Sequence, residues 1–181
     1  MKIFFDFETT SLNPHEAEII EGYFEKENGE SLHIKAKPEI WSDDAALIHR
    51  ISKELADTYP PIQSELRRLC QWLPKEFSFV CFANVNTPFG CLHYDLACLR
   101  MAFYRIDHYF WFEMNYSYDV ISVHTIAKQI LRGQLINYSQ KKIADHFGIE
   151  YDAHNCVSDV KAMIKIYNNL INYEDNERLS I

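Results

Sequence analysis

Hydrophobic positions crowd the start of the chain and then fall into alternating periods. Ile3, Phe4, Phe5 and Phe7 make an apolar run of strand length, interrupted by Asp6 and Glu8. Strand residues at i and i+2 point to the same face, so the two carboxylates share one side of a strand whose neighbours pull it inward. Ala17 to Phe24 is apolar enough for a second strand. Glu27-Asn28-Gly29-Glu30 reads as a hairpin loop, and Leu32, Ile34 and Ala36 alternate in a third strand. Three antiparallel strands are therefore predicted to open the chain.

Beyond Pro38 the period becomes helical, around Asp44 to His49 and again from Ser52 to Asp57. Pro60-Pro61 starts an amphipathic helix with Ile62, Leu66, Leu69 and Leu73 on one face and Pro74 as its stop. Phe77 to Ala83 is a continuous apolar run suited to an interior strand covered on both faces. Asn84 to Cys91 reads as a loop. Leu92, Leu96, Leu99 and Phe103 then restore helical spacing, with Asp95 riding on that helix. Asp107 to Tyr118 is rich in aromatic residues and fits neither period. Tyr118 to Leu131 reads as a strand end running into a helix, and Ser139 caps a helix through Phe147 that Gly148 terminates. Val157, Val160, Ile164, Tyr167 and Ile171 mark a last helix from about Cys156 to Leu170. It follows a loop carrying Asp152 and His154, and Asp159 lies in its first turns. The expectation is a single domain over residues 1–173 with a polar tail over 174–181, built as an α/β sheet with helices on both faces.

Composition narrows the class. A hydrophobic fraction of 48% with 14% aromatic residues supports a packed core rather than disorder. No apolar run reaches the roughly 20 residues of a bilayer span, and the N-terminus lacks secretory signals, so a cytoplasmic protein is expected. The five cysteines are odd in number and never spaced Cys-x-x-Cys, which points to reduced thiols. Cys91, His93 and Cys98 lack a fourth ligand at regular spacing for a zinc site. Cys156 and His154 lie two residues apart, which assures no thiol–imidazole contact. The net charge of −8 excludes a broad electrostatic nucleic-acid binder.

Asp6 and Glu8 need a physical reason, because paired carboxylates repel and buried charge is costly. A solvated edge strand, a shared proton or nearby Arg, and a divalent cation each supply one. The flanking Ile3, Phe4, Phe5 and Phe7 argue against a solvated edge, and clustered carboxylates suit hard cations.

Asp6-Phe-Glu-Thr-Thr-Ser-Leu12 resembles the first motif of the DnaQ-like superfamily of 3′-to-5′ exonucleases, in the branch with four acids and a histidine. Leu92-His-Tyr-Asp-Leu-Ala-Cys-Leu99 resembles the second motif, and His154-Asn-Cys-Val-Ser-Asp159 the third. The resemblance spans nearly the whole chain. It implies a ribonuclease H-like mixed sheet, antiparallel over its first three strands and then parallel. It also implies two Mg²⁺ or Mn²⁺ ions held by four carboxylates: Asp6 bridging, Glu8 and Asp159 on one ion, Asp95 on the other. His154 would act as general base. Positions five apart on a helix diverge by about 140°, so His154 must lie in the preceding loop to face Asp159. Thr9, Thr10 and Leu12 match positions that hold the terminal nucleotide, with Leu12 either against a base or in the core. Ile48-His49-Arg50-Ile51 resembles a family loop near the substrate, with no mechanism attached.

Two departures stand out. Ser11 occupies a position where family members carry Gly. Gly90-Cys91 stands where the second motif has His-Asn, while a similar strand end, Phe82-Ala-Asn84, lies farther upstream. The loop over 84–94 reads as an insertion, which makes Asp107 and Asp119 fallback candidates for Asp95. The implied function is a metal-dependent exonuclease acting on single-stranded or frayed DNA or RNA 3′ ends. The alternative is a catalytically silent module of the same fold that docks on a polymerase or other replication or repair machinery.

Overall fold

The computed structural model describes residues 1–82 and 93–178. The strand end at Asn84 and most of the expected loop, Gly90 and Cys91 included, lie outside them. At the centre is strand β1 (Lys2–Thr9), flanked by β2 (Ile19–Lys26), β3 (Ser31–Lys35), β4 (Glu76–Cys81) and β5 (Ser117–Ser122) in the order β3-β2-β1-β4-β5. The β1–β2 and β2–β3 pairs are antiparallel, and β1–β4 and β4–β5 are parallel. This is the mixed sheet that the sequence leads one to expect.

Alternation along β1 divides the interior. Ile3, Phe5 and Phe7 join one core with Leu66 and Leu69 of α3 (Ile62–Trp72) and Leu99 and Phe103 of α4 (Tyr94–Arg105). Phe4 faces the other core, built from α6 (Val123–Ile130), α7 (Gln140–His146) and α8 (Cys156–Arg178). Asp6 and Glu8 have the parity of Phe4, so they emerge on the face that α8 covers. The short helices α1 (Asp43–His49) and α2 (Lys53–Ala56) start at Ser42 and Ser52, whose hydroxyls accept the N–H groups of Ala45 and Leu55. Among the described residues no helix is long and apolar enough to cross a membrane.

The aromatic stretch that fits neither period contains helix α5 (Tyr109–Asn115), where Phe112 is the buried residue. One anchor in so short a helix leaves no periodic signal; Phe112 stacks on Phe103 at 4.3 Å between ring centroids and also packs against Tyr116 and Tyr118. Helix α8 also continues past Glu174 to Arg178, so the expected polar tail begins as helix.

Strand β4 pairs with β1 only at Lys2, Ile3 and Phe4. Past Phe4 the two strands part. The chain leaves β1 towards β2 and leaves β4 towards β5, so the gap is a topological switch point at the carboxyl ends of parallel strands. Asp6 and Glu8 lie along it.

Gly22 keeps β1 and β2 in contact beside this gap. It sits opposite Phe7, and a Cβ at Gly22 would lie 2.5 Å from Cδ1 and 2.6 Å from Cε1 of that ring. The ring cannot swing aside, because Phe5 and Phe24 pack edge-on against it. Gly22→Ala is expected to destabilise the protein by about 1–3 kcal/mol through overpacking. The cost should shrink in a Phe7→Leu background; urea denaturation of the two single variants and the double variant checks both statements.

Candidate active site

Three elements converge on the gap. Asp6 and Glu8 project from β1, Asp95 lies in the first turn of α4, and Asp159 in the first turn of α8. One oxygen from each of Asp6, Glu8 and Asp159 lies within 4.8 Å of the others. Asp95 is buried, and its charge reaches both Asp6 and Glu8. Its carboxylate accepts the backbone N–H of Phe7, beyond the last residue that β4 pairs on β1. The fallback candidates are elsewhere: Asp107 is exposed beyond the end of α4, and Asp119 is exposed on β5 opposite Ser78.

His154 lies in the loop before α8, exposed and with φ of +63°. A left-handed conformation is unfavourable for a residue with a Cβ, so the surroundings must hold it. Asn155 donates its N–H to Asp159 Oδ2 at 3.0 Å, Ser158 donates to Asn155 Oδ1 at 3.1 Å, and Asp152 donates to Ser158 Oγ at 2.8 Å. The loop is tied from outside as well. Arg50, itself at φ of +61° at the end of α1, donates through Nη2 to Asp152 Oδ1 at 2.7 Å and to the Ala153 carbonyl at 2.9 Å.

A cavity of about 620 Å³ contains the four acids and His154, with Leu12, Tyr94, Gln140, Lys141 and Tyr151 in its wall. A second cavity of about 500 Å³ adjoins it through Glu8, Leu12, Tyr94 and His154, and is lined by Thr9, Thr10, Ile48 and His49. Leu12 is 79% exposed and is not a core residue. Thr9 Oγ1 meets the Tyr94 hydroxyl at 2.7 Å and donates to the Ser11 carbonyl, while Thr10 Oγ1 accepts the Glu18 N–H. Those two hydroxyls therefore shape the turn. His49 Nδ1 accepts the Ile51 N–H, and its buried Nε2 has no partner. Gln140 Nε2 donates to Asp159 at its carbonyl and at Oδ1. Sequence reading missed Gln140, Tyr94 and the role of Arg50, because each acts through a partner distant in the chain.

None of the four acids enters an ion pair among the described residues. Burial, then the charges of Asp95, Asp159 and Glu8, pushes Asp6 well above the usual carboxylate range. Burial and the neighbouring acids raise Glu8 to about 7, against the lowering effect of Arg50. Asp95 is raised to about 7, chiefly by burial, although the N–H groups of Asp95 and Phe7 oppose the rise. Asp159 is raised by burial to about 6 against the N–H groups of Asn155 and His154. Such a cluster is uncompensated at neutral pH, and its hard oxygen donors fit divalent cations.

The sign of the pH dependence follows. Between the ordinary carboxylate pKa of about 4 and the raised values, the native state holds protons that the unfolded chain has released. Without a divalent cation, stability should therefore fall as pH rises from about 4 to about 7. Mg²⁺ or Mn²⁺ should stabilise the protein more at about pH 8 than at about pH 5, because cations and protons compete for the same oxygens. Asp6→Asn should raise the melting midpoint at the higher pH in EDTA and weaken stabilisation by Mn²⁺. Thermal unfolding of both proteins at the two pH values, with EDTA or Mn²⁺, measures each of these outcomes.

The chain matches the family described as Exonuclease (RNase_T) over residues 3–167. Its fold is similar to that of the zinc-bound Escherichia coli exonuclease I–ssDNA complex, with TM-score 0.71 and 20% identity over 95% of this chain and 42% of that one. E. coli exonuclease I in complex with a dT13 oligonucleotide gives TM-score 0.71 and 20% identity over 98% and 42%. Cell-death related nuclease 4 gives 0.71 and 17% over 94% and 63%. No curated protein matches in sequence. The chain spans about two-fifths of the length of exonuclease I, and identities this low establish a shared fold. The match over residues 3–167 carries every residue of the acidic cluster and His154, and the chain belongs to the Exonuclease (RNase_T) family within the DnaQ-like superfamily.

Proposed function

We propose that this chain is a divalent-metal-dependent 3′-to-5′ exonuclease that hydrolyses the terminal phosphodiester bond of single-stranded or frayed nucleic acid. The observation that carries the reading is the convergence of Asp6, Glu8, Asp95 and Asp159 on one cavity with His154 in its wall. Two Mg²⁺ or Mn²⁺ ions would supply the positive charge that stabilises the attacking and leaving oxygens. Asp6, which feels the charges of its neighbours in the cluster, would be shared between the two ions, with Glu8 and Asp159 holding one and Asp95 the other. The imidazole of His154 takes a proton from the attacking water, and its solvent exposure lets that proton leave.

The adjoining cavity suits the terminal nucleotide. Exposed Leu12 and Ile48 offer apolar surface to a base. Thr9 and Thr10 contribute by fixing the turn that presents Leu12. The four acids and His154 around one cavity count against a silent docking module.

Arg50 enters this reading through the loop it holds. Its bridge to Asp152 is exposed on both sides, and solvent screening leaves such a pair little weight in stability. Its value lies in geometry, because the same guanidinium fixes the Ala153 carbonyl one residue before His154.

Incubation with end-labelled DNA and RNA oligonucleotides and Mg²⁺ or Mn²⁺ tests the proposal. Stepwise shortening from the 3′ end is expected, abolished by EDTA and by Asp6→Ala; a folded protein that shortens none of the substrates would overturn it. His154→Ala should slow turnover by roughly 10²–10⁴-fold, the usual contribution of a general base. Arg50→Ala should lower kcat with KM and melting midpoint nearly unchanged. Asp152→Asn should repeat that effect in weaker form, which steady-state kinetics on the two variants decides.

A further inference from the structure

A second cluster of ligating side chains lies one strand away from the carboxylates. Glu21 on β2 is in register with Glu8, and His33 on β3 lies opposite Tyr23. Cys156, the first residue of α8, closes the cluster from above the sheet. His33 Nε2 stands 3.0 Å from Glu21 Oε2 and 3.9 Å from Cys156 Sγ, and the three donor atoms lie within 4.8 Å of one another.

The surroundings hold these groups in place. Glu21 Oε1 accepts the Tyr59 hydroxyl at 2.5 Å and the Lys35 ammonium at 3.0 Å, leaving Oε2 towards His33. Burial alone would raise the Glu21 carboxyl, yet the hydrogen bonds from His33, Tyr59 and Lys35 bring it down to about 2, so it is ionised. Tyr23 packs edge-on against the His33 ring at 5.8 Å. Burial and the charges of Asp6, Glu8 and Glu21 hold the Cys156 thiol well above its usual range, and the Val157 N–H at the start of the long helix opposes that rise, so a cation bound at this sulfur has to displace its proton. A hydrogen-bonded Glu21–His33 pair explains two of the groups. The buried thiol, brought from the far end of the chain, turns the pair into a three-donor set.

We propose that Glu21, His33 and Cys156 form a binding site for a borderline-soft divalent cation of the zinc type, separate from the acidic cluster. Tetrahedral zinc with ligand distances of about 2.0–2.3 Å spaces its ligand atoms about 3.3–3.6 Å apart. The observed 3.0 and 3.9 Å separations bracket that spacing. A thiolate and an imidazole favour zinc over magnesium, which distinguishes this site from one built of carboxylates alone. The hydrogen bonds to Glu21 Oε1 are the outer-shell support that ligating carboxylates use. His33 is partly exposed, so a cation and a fourth, solvent ligand can enter from its side. Cys156 lies two residues after His154 and three before Asp159, so an occupied site would pin the segment carrying both to β2 and β3. The inference does not depend on the nuclease reading.

Cobalt(II) titration of the reduced protein tests it. A cobalt–thiolate bond gives an intense near-ultraviolet charge-transfer band that oxygen and nitrogen ligands do not give. The band should appear, saturate at one equivalent and be displaced by Zn²⁺. Cys156→Ser should abolish it, His33→Gln should weaken cobalt binding at least about tenfold, and Asp6→Asn should leave it in place. Absence of the band, its survival in Cys156→Ser or its loss in Asp6→Asn would each overturn the proposal. Should Cys156→Ser fail to fold by circular dichroism, the partly exposed His33 position decides: unchanged cobalt affinity in His33→Gln refutes the site.

Discussion

Crowding of four carboxylates in a gap between two parallel strands is the constraint on which the rest of the arrangement depends. Each acid alone could be solvated or paired, but together they raise one another's protonation energies, with burial as the larger cause. The fold offsets part of the cost with backbone donors at Asp95 and Asp159 and with the charge of Arg50 near Glu8. Asp95 and Asp159 occupy the first turns of helices, where unsatisfied N–H groups and the helix dipole favour negative charge. Asp6 is raised by burial and by the charges of Asp95, Asp159 and Glu8, so the repulsion of the cluster converges on it. A divalent cation held by these oxygens would relieve that repulsion.

Much of this was legible because it rests on local periodicity. The same-face placement of Asp6 and Glu8 follows from a period of two along β1, and the loop position of His154 follows from the angle between helical residues five apart. The antiparallel opening was readable from the early hairpin, whereas the parallel half of the sheet came from the family resemblance. Helix α5 was not readable, since Phe112 is its single buried anchor and stacks on a ring from α4. Asp95 could not be chosen over Asp107 and Asp119 from spacing, because the choice depends on where α4 points its first turn. Arg50 was hidden for a similar reason: it acts on a loop 102 residues later in the chain. Pairings of that range leave no pattern in a single sequence.

The polar character of the site does not stop at β1. Glu21 lies beside Glu8 across the strand pair and raises it, while Lys35, Tyr59 and His33 hold Glu21 ionised. A fixed negative charge therefore stands next to the cluster under all conditions near neutrality. Arg50 acts in the opposite sense and lowers Glu8. Glu8 is thus acted on in two senses, by a β2 neighbour and by the end of α1. The same Arg50 holds the loop before α8 through Asp152 and the Ala153 carbonyl.

An acidic chain that meets nucleic acid must reverse its own field locally. The net charge is −8, and the bases near the cavity do not supply a free phosphate track: Arg50 is tied to Asp152, and Lys141 to Asp145. Positive potential for a phosphate must then come from cations held inside the acidic cluster. Such potential is short-ranged, because surrounding acidic surface and salt screen it beyond roughly 10 Å. Phosphates far from the gap gain little attraction, whereas a terminal phosphodiester that reaches the gap feels the full charge. On the proposed exonuclease reading, this and an adjoining cavity bounded by Leu12 and His49 would favour the capture of a chain end over a hold on the nucleic-acid backbone. On that reading, the same carboxylates that make the cluster unfavourable without cations would confine recognition to the place where the bond would be cut.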